Sequence, residues 1–290
     1  MKLALGTAQF GLNYGIANTR GQVPYSEVLK ILNIAKNHSI NTLDTATEYG
    51  NSESVLGEAT TGDDFFKLIT KTPHLHTQER ATKQILSAFK KSISHLQTHN
   101  IYALLVHKAD DIIGKIGAEV WNTMRQLRDS GQVKKIGISV YNQKQIETIL
   151  SKHNDVDILQ VPLNIFDQRL IHNNYLEHLV SQGIEIHCRS VFLQGLLLMD
   201  LNAAITKLPQ AAPYIKTFHN DCEKHKITPL QMALKFVLQQ KSISKLLVGV
   251  TSAKELEEIL QNANKDLPVD IDFSKYNVND LNIIDPTLWT

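Results

Sequence analysis

The chain has 290 residues, 42% hydrophobic and 20% charged, with a formal net charge of +1 at pH 7. That is the make-up of an ordinary globular protein long enough to bury a large core. It offers no basic block or stripe for nucleic acid and no apolar run long enough to cross a bilayer. Its two cysteines, Cys188 and Cys222, fit neither a disulfide framework nor metal-ligand spacing. The apolar stretch at the amino end, broken by Gly6 and Gly11, is too short for a secretory signal. The expectation is a soluble cytoplasmic protein with neither nucleic acid nor membrane as partner.

In chain order, KLALGT (2–7) reads as a strand and 25–38 as an amphipathic helix with apolar positions at Val28, Leu29, Leu32 and Ala35. NTLDT (41–45) predicts a strand and 52–60 a short helix. FKLIT (66–70), closed by Lys71, predicts a strand before a helix over 79–96. IYALLVH (101–107) is followed by a helix over 117–131 that stops on Gly131. VKKIGIS (133–139) precedes a helix over 142–153 with Asn142 as its cap. DILQVP (157–162), a helix over 174–183 and IEIHCRSVF (184–192) continue the series, which ends with a helix over 229–240, KLLVGV (245–250) and a helix over 253–264. One longer insertion lies at about 192–226.

Eight strand–helix pairs in succession imply parallel strands joined by helical crossovers. An open doubly wound sheet would give much the same pattern. None of the 14 glycines forms G-x-G-x-x-G, however, there is no G-x-x-x-x-G-K-[ST], and no Pro/Ser/Gly-rich linker divides the chain. The expected fold is therefore α/β, a single-domain (β/α)8 TIM barrel over residues 1–290, with a tail from about 267 to 290 packing on the barrel.

Chemistry in such barrels collects at the carboxyl ends of the strands. Those ends carry Thr7, Asp44, Lys71, His107, Ser139, Gln160, Ser190 and Gly249, one ring of polar groups and glycine around a single mouth. With Tyr49 just past Asp44, four of these residues suggest carbonyl reduction. Hydride transfer to a carbonyl leaves an alkoxide that must be protonated. Tyr49 is the candidate acid, but a free phenol titrates near pH 10. Lys71 is expected to pull that value down, Asp44 to keep Lys71 charged, and His107 to orient the substrate oxygen through a hydrogen bond. Taken singly, Asp44–Lys71 reads as a structural ion pair, His107 as a structural histidine and Tyr49 as a loop tyrosine. Their joint occurrence on three successive strand ends favours the catalytic reading.

LDTATEYGNSESVLG resembles the aldo-keto reductase segment in which an Asp, and a Tyr five residues later, precede Gly-Asn-Ser-Glu and Leu-Gly. TKTPH resembles the stretch carrying that family's lysine and LLVHKAD the one carrying its histidine. GISVYN, LQVPLN and LVGVTSAKELEEIL resemble its cofactor-binding stretches, so that the likeness covers residues 2 to 263. The resemblance implies a nicotinamide dinucleotide extended across the barrel mouth, with NADP(H) as the expected cofactor and NAD(H) as the alternative. It implies that Thr7 belongs to the cofactor site and that Ser139 and Gln160 hold the nicotinamide carboxamide. Ser190 and the Leu193–Gly195 stretch would lie around the pyrophosphate, offering backbone N–H groups. Gly249, Thr251 and Ser252 would open the last helix toward a phosphate.

Five departures bear on this implication. Val140 replaces a polar residue and removes one carboxamide contact. Arg189 stands where a flat group stacks on nicotinamide, and its guanidinium can stack or reach an anion. Thr251 and Glu255 occupy positions where Arg or Gln helps hold the adenosine end, and Ile259 replaces an Asn. Glu255 would repel a 2′-phosphate but suit a free ribose hydroxyl, or it simply points into solvent; Lys254 is the cation available to compensate.

Other chemistries have weaker support. His74 and His76 form an H-x-H pair that would serve a metal-dependent barrel hydrolase, but it follows the third strand without the further ligands such a centre needs. A Schiff-base aldolase on Lys71 is opposed by the adjacent Asp44, and a nicotinamide-binding redox sensor without turnover is opposed by the intact set of four residues. The substrate partner is expected to be a small, polar, sugar-like carbonyl. Phe10, Asn13 and Tyr14, then Lys108, Asp110 and Asp111, with Phe166 and Phe192, are the expected walls of its site.

Overall fold

The computed structural model describes residues 2–76, 80–267 and 271–289. Its eight strands are β1 (Leu3–Gly6), β2 (Thr42–Asp44), β3 (Lys67–Lys71), β4 (Ile101–Val106), β5 (Val133–Ser139), β6 (Ile158–Pro162), β7 (Glu185–Arg189) and β8 (Ile243–Gly249). All pair in parallel and in chain order, and β8 closes on β1 from Leu3↔Leu246 to Gly6↔Gly249. The expected (β/α)8 barrel is the fold. Among the described residues no helix is long and apolar enough to cross a membrane.

Strand periodicity decides which residues reach the mouth. Successive side chains point to opposite faces of a strand. Ile69, Ala103, Leu105 and Ile158 form a small buried cluster of their own inside the barrel. Leu68, Leu104, Val106, Ile136, Ile138 and Leu159 belong instead to the large core between barrel and helices. Lys71, His107 and Gln160 lie two residues beyond Ile69, Leu105 and Ile158, so the same alternation that fills the barrel brings these three polar groups to its carboxyl end.

Several boundaries differ from expectation. The third barrel helix runs Ala81–His95, and Glu79, where it was expected to start, lies outside the described residues. The helix after β5 ends at Leu150. β7 stops at Arg189 because Ser190 takes a left-handed conformation (φ 61°) that ends strand pairing. The insertion holds two 3-10 segments (Leu193–Leu198 and Pro209–Ala211) and two helices, Leu201–Lys207 and Ala212–His225. The second buries Ile215, Phe218 and Cys222 at helical spacing. Its Pro213 sits at the start, where proline costs a helix nothing. Asp200 caps the first by accepting from Ala203 N–H.

The tail packs on the barrel helices. Phe273 meets Phe236 edge to face at 5.4 Å. The buried Tyr276 donates to Asp221 (2.8 Å) and Val278 N–H to the Phe166 carbonyl (2.9 Å). Residues 268–270 of the tail lie outside the described residues.

Candidate active site

Asp44 and Lys71 form an ion pair in which neither side chain meets solvent appreciably (5% and 0% exposed). Lys71 Nζ donates to Asp44 Oδ1 and to the Thr45 carbonyl, the latter at 2.8 Å. Gln160 Nε2 donates to Asp44 Oδ2 at 2.8 Å. Burial pulls the Lys71 ammonium below its usual range, and the Asp44 carboxylate opposes that shift. Thr7 supports the pair from behind. It donates its N–H (2.9 Å) and its hydroxyl (3.0 Å) to the Asp44 carbonyl, and it accepts from Ser52 Oγ (3.0 Å). Its hydroxyl is thus committed within the protein, and Thr7 buttresses β2 at the cavity wall.

Tyr49 is placed by the loop that follows. Gly50 adopts φ 56°, and a Cβ there would meet the Gly11 carbonyl at 2.3 Å. A Cβ on Gly11 would lie 1.8 Å from the Tyr49 carbonyl. These two glycines let the loop dock against the end of β1, and Ser52 holds it by donating to the Thr7 carbonyl (2.8 Å). The Tyr49 ring then lies 5.0 Å from Lys71 Nζ and edge-on to His107 at 5.8 Å between centroids.

Electrostatics departs from the expected tuning of this tyrosine. Burial, reinforced by the Asp44 carboxylate, pushes the Tyr49 phenol well above its ordinary value. Lys71 does not reverse this, because its charge is compensated at contact by Asp44. His107 is pulled down to about 3 by burial first and then by the Lys71 and Arg189 charges, so its ring is neutral at pH 7. Its Nδ1 is buried 3.3 Å from Glu48 Oε2 and makes no hydrogen bond among the described residues.

These groups stand at one end of a cleft of about 660 Å³, a size typical of small-molecule and cofactor sites. Tyr49, His107, Asp44, Ser139, Gln160, Tyr14, Tyr141 and Arg189 line its inner part. Gly6, Thr7, Gln9, Leu247 and Gly249 also form its wall, and it extends to Thr251, Glu255, Glu258 and Arg20. A Cβ on Gly249 would strike the Gln9 amide at 2.6 Å, which keeps this stretch of wall open only with glycine.

Several expected site residues are disposed differently. Arg189 neither points outward nor stands free. Its guanidinium stacks 4.2 Å above the Tyr141 ring and donates to Ser139 Oγ (3.3 Å), Ser190 Oγ (3.3 Å) and the Val140 carbonyl (3.1 Å). Ser139 and Gln160 line the cleft, but each already has one protein partner there. Leu193 is fully buried in the core, and the N–H groups of Leu193 and Gly195 donate to Ser190 and Phe192 carbonyls (both 2.9 Å). Left-handed residues at 190 and 193–195 close these tight turns, which engage the Leu193 and Gly195 amides within the chain, while Ser190 and Gln194 line the cleft. Ser252 caps the last helix by accepting from Glu255 N–H, and Lys254 is turned out beside Glu258 at 3.8 Å.

Glu255 does not point into solvent: it lines the cleft and accepts from the Thr251 N–H (2.7 Å) and hydroxyl (2.6 Å). Of the expected substrate walls, Tyr14 and Phe192 line the cleft, whereas Phe10 and Phe166 are fully buried in the core. Asp111 is drawn to the Leu75 N–H (3.4 Å) and His74 (3.6 Å). His74 and His76 sit 5.8 Å apart, and among the described residues no three His, Cys, Asp or Glu side chains gather as metal ligands. Gln9, Arg20, Tyr141 and Glu258 were not anticipated. Tyr141 had a signal, since it lies two residues past Ser139.

Comparison with known proteins gives the family. Residues 2–276 match the model of the aldo/keto reductase family. The chain belongs to that family. It is an NAD(P)-dependent oxidoreductase, and aldo/keto reductases act on small-molecule carbonyls. It is 25% identical over 243 residues to the glyoxal reductase of Bacillus subtilis, covering 82% of this chain and 78% of that one. It is 23% identical over 273 residues to the D-arabinose 1-dehydrogenase of Saccharomyces cerevisiae (87% and 80% covered). Its fold is similar to that of the aldo-keto reductase AKR11C1 from Bacillus halodurans in its holo form. There the TM-score is 0.75 at 20% identity, with 95% and 90% of the two chains covered.

Proposed function

We propose that this aldo/keto reductase reduces a small polar aldehyde or ketone to an alcohol with Tyr49 as the proton donor. The observation that carries the proposal is the convergence of Tyr49, His107 and the buried Asp44–Lys71 pair on the inner end of one cleft. The residues along that cleft fit a nicotinamide dinucleotide, NADP(H) or NAD(H). Ser139 and Gln160 stand beside Tyr49 for an amide-bearing ring, the Gly249 wall would take the middle, and Thr251 and Glu255 the far end. When bound, that group supplies the hydride.

The protein's own residues handle the proton. Burial keeps the Tyr49 phenol protonated at neutral pH, so it holds its proton until an alkoxide, a far stronger base, develops at the substrate oxygen. His107, neutral and lining the cleft, orients that oxygen by a hydrogen bond from its ring without competing as an acid. Lys71 and Asp44 maintain the local field and hold β2 and β3 together under the reacting atoms. Tyr14, Tyr141 and Arg189 make the surrounding wall polar, which suits an oxygen-rich substrate; two relatives are named for glyoxal and D-arabinose.

The test is Tyr49→Phe, followed by carbonyl-dependent consumption of reduced cofactor and by nucleotide binding through protein fluorescence. Turnover should fall by about 10²–10⁴-fold, the usual contribution of a positioned general acid, with nucleotide affinity unchanged. Retained turnover would remove Tyr49 from the role. Faster reduction of bulky apolar ketones than of small sugar aldehydes would overturn the polar substrate class.

A further inference from the structure

We propose that Glu255, with Glu258 beside it, makes the outer end of the cleft a reader of a free ribose diol, so that this chain binds NAD(H) in preference to NADP(H). The inference rests on the reading that the cleft holds a nicotinamide dinucleotide, and it reverses the preference that the sequence resemblance implied.

With the reactive ring beside Tyr49, an extended dinucleotide carries its adenosine ribose to the other end of the cleft, where Thr251, Glu255, Glu258 and Arg20 form the wall. Three donors that would serve a 2′-phosphate there are already taken by carboxylates. Thr251 gives both its N–H and its hydroxyl to Glu255. The N–H of Ala253, at the start of the last helix, is closed by Glu27 Oε1 at 2.8 Å, reaching across from the helix Tyr25–Asn37. Lys254, the cation expected to compensate, does not line the cleft. Its side chain is 82% exposed and pairs with Glu258. A phosphate monoester carries between one and two negative charges at neutral pH. It would therefore enter a wall bearing two carboxylates, with a third behind it, against the one cation, Arg20, that lines this end among the described residues. Two ribose hydroxyls, by contrast, are donors and suit carboxylate acceptors.

Glu255 also belongs to a capping arrangement, since its own N–H donates to Ser252 Oγ. A residue serving the helix alone would change stability when altered and leave nucleotide discrimination untouched, and the experiment separates the two.

The Kd values of NADH and NADPH, and of ADP and 2′-phospho-ADP as probes of the adenosine end alone, are measured by isothermal titration calorimetry on the full-length chain and on Glu255→Gln. Glutamine keeps an acceptor for Thr251, and thermal melting reports whether the fold is retained. In the wild type NADH should bind about tenfold or more tighter than NADPH, the order that one like-charge pair near a protein surface commands. The ADP pair should show the same bias, and Glu255→Gln should narrow it mainly by improving NADPH. Equal or tighter binding of NADPH by the wild type overturns the proposal, with or without a foldable variant. A ratio unchanged in Glu255→Gln removes Glu255 as the reader. Binding of neither nucleotide would instead strike the underlying reading of the cleft.

Discussion

The Asp44–Lys71 pair allows a stability prediction that turnover alone cannot make. In Lys71→Met, the Asp44 carboxylate keeps one donor, Gln160 Nε2, in a place where its side chain is 5% exposed. Breaking a buried pair by removing one partner costs about 3–5 kcal/mol, because the remaining charge is left uncompensated. Asp44→Asn should cost a similar amount, leaving the fully buried ammonium with the Thr45 carbonyl and a neutral amide oxygen in place of a carboxylate. The double variant buries no net charge. It loses mainly the bond to Thr45, so about 1–3 kcal/mol should be missing, less than in either single variant or close to the smaller of them. Urea unfolding followed by circular dichroism, with m-values checked for constancy, measures all four corners of the cycle. Turnover should be lost in all three variants, so stability alone discriminates. If Lys71→Met costs under about 1 kcal/mol, or the double variant costs the sum of the singles, the pair is not the desolvated, mutually dependent unit described here.

Gly137 lies inside the barrel, where a Cβ would sit 2.2 Å from the Ile158 carbonyl oxygen and 2.8 Å from a Leu105 methyl. Gly137→Ala must displace backbone and should cost about 3 kcal/mol, lowering Tm by roughly 6–10 °C in a thermal melt; an unchanged Tm would contradict that packing. His107, held down to about 3 in the folded chain against 6.5 when free, takes up its proton in the unfolded state first. Its contribution to stability is therefore complete above about pH 6.5 and declines as pH falls toward 3. At pH 5, about 1.5 units below the unfolded value, the loss is about 2 kcal/mol. Urea melts at pH 7 and 5 should show that difference shrink by about this amount in His107→Gln.

The barrel was legible because each strand carries its own period. Ile69 and Lys71, Leu105 and His107, and Ile158 and Gln160 announce both an apolar interior and a polar mouth within a few residues. The Asp44–Lys71 contact follows almost directly, since β2 and β3 are neighbours in sequence and in space. Contacts set by long-range closure were not legible. Glu27 capping Ala253 joins positions 226 apart, and no local pattern marks a glutamate for that task. Arg189 could have stacked on a ligand or met an anion; only the fold shows Tyr141 and Ser139 in reach of it. The tuning of Tyr49 went the other way because chemistry read residue by residue counts charges and cannot see burial, which dominates once Asp44 has compensated Lys71.

The seam between β1 and β8 has a consequence for the life of the chain. Lys2 reaches Gln240, Gly6 stands against Gly249, and Glu27 grips the first amide of the helix Ala253–Asn264, so the outer end of the cleft, proposed above to hold the adenosine ribose, is assembled from the first and last strands of the barrel and the helices beside them. A ribosome-bound or truncated chain lacking the last strand and helix has no such end to offer. A nucleotide bound as proposed would therefore not act as a template for early folding; it would only favour the finished ring by mass action. On that proposal, loss of the last strand and the helix that follows it would remove binding while most of the barrel strands remained.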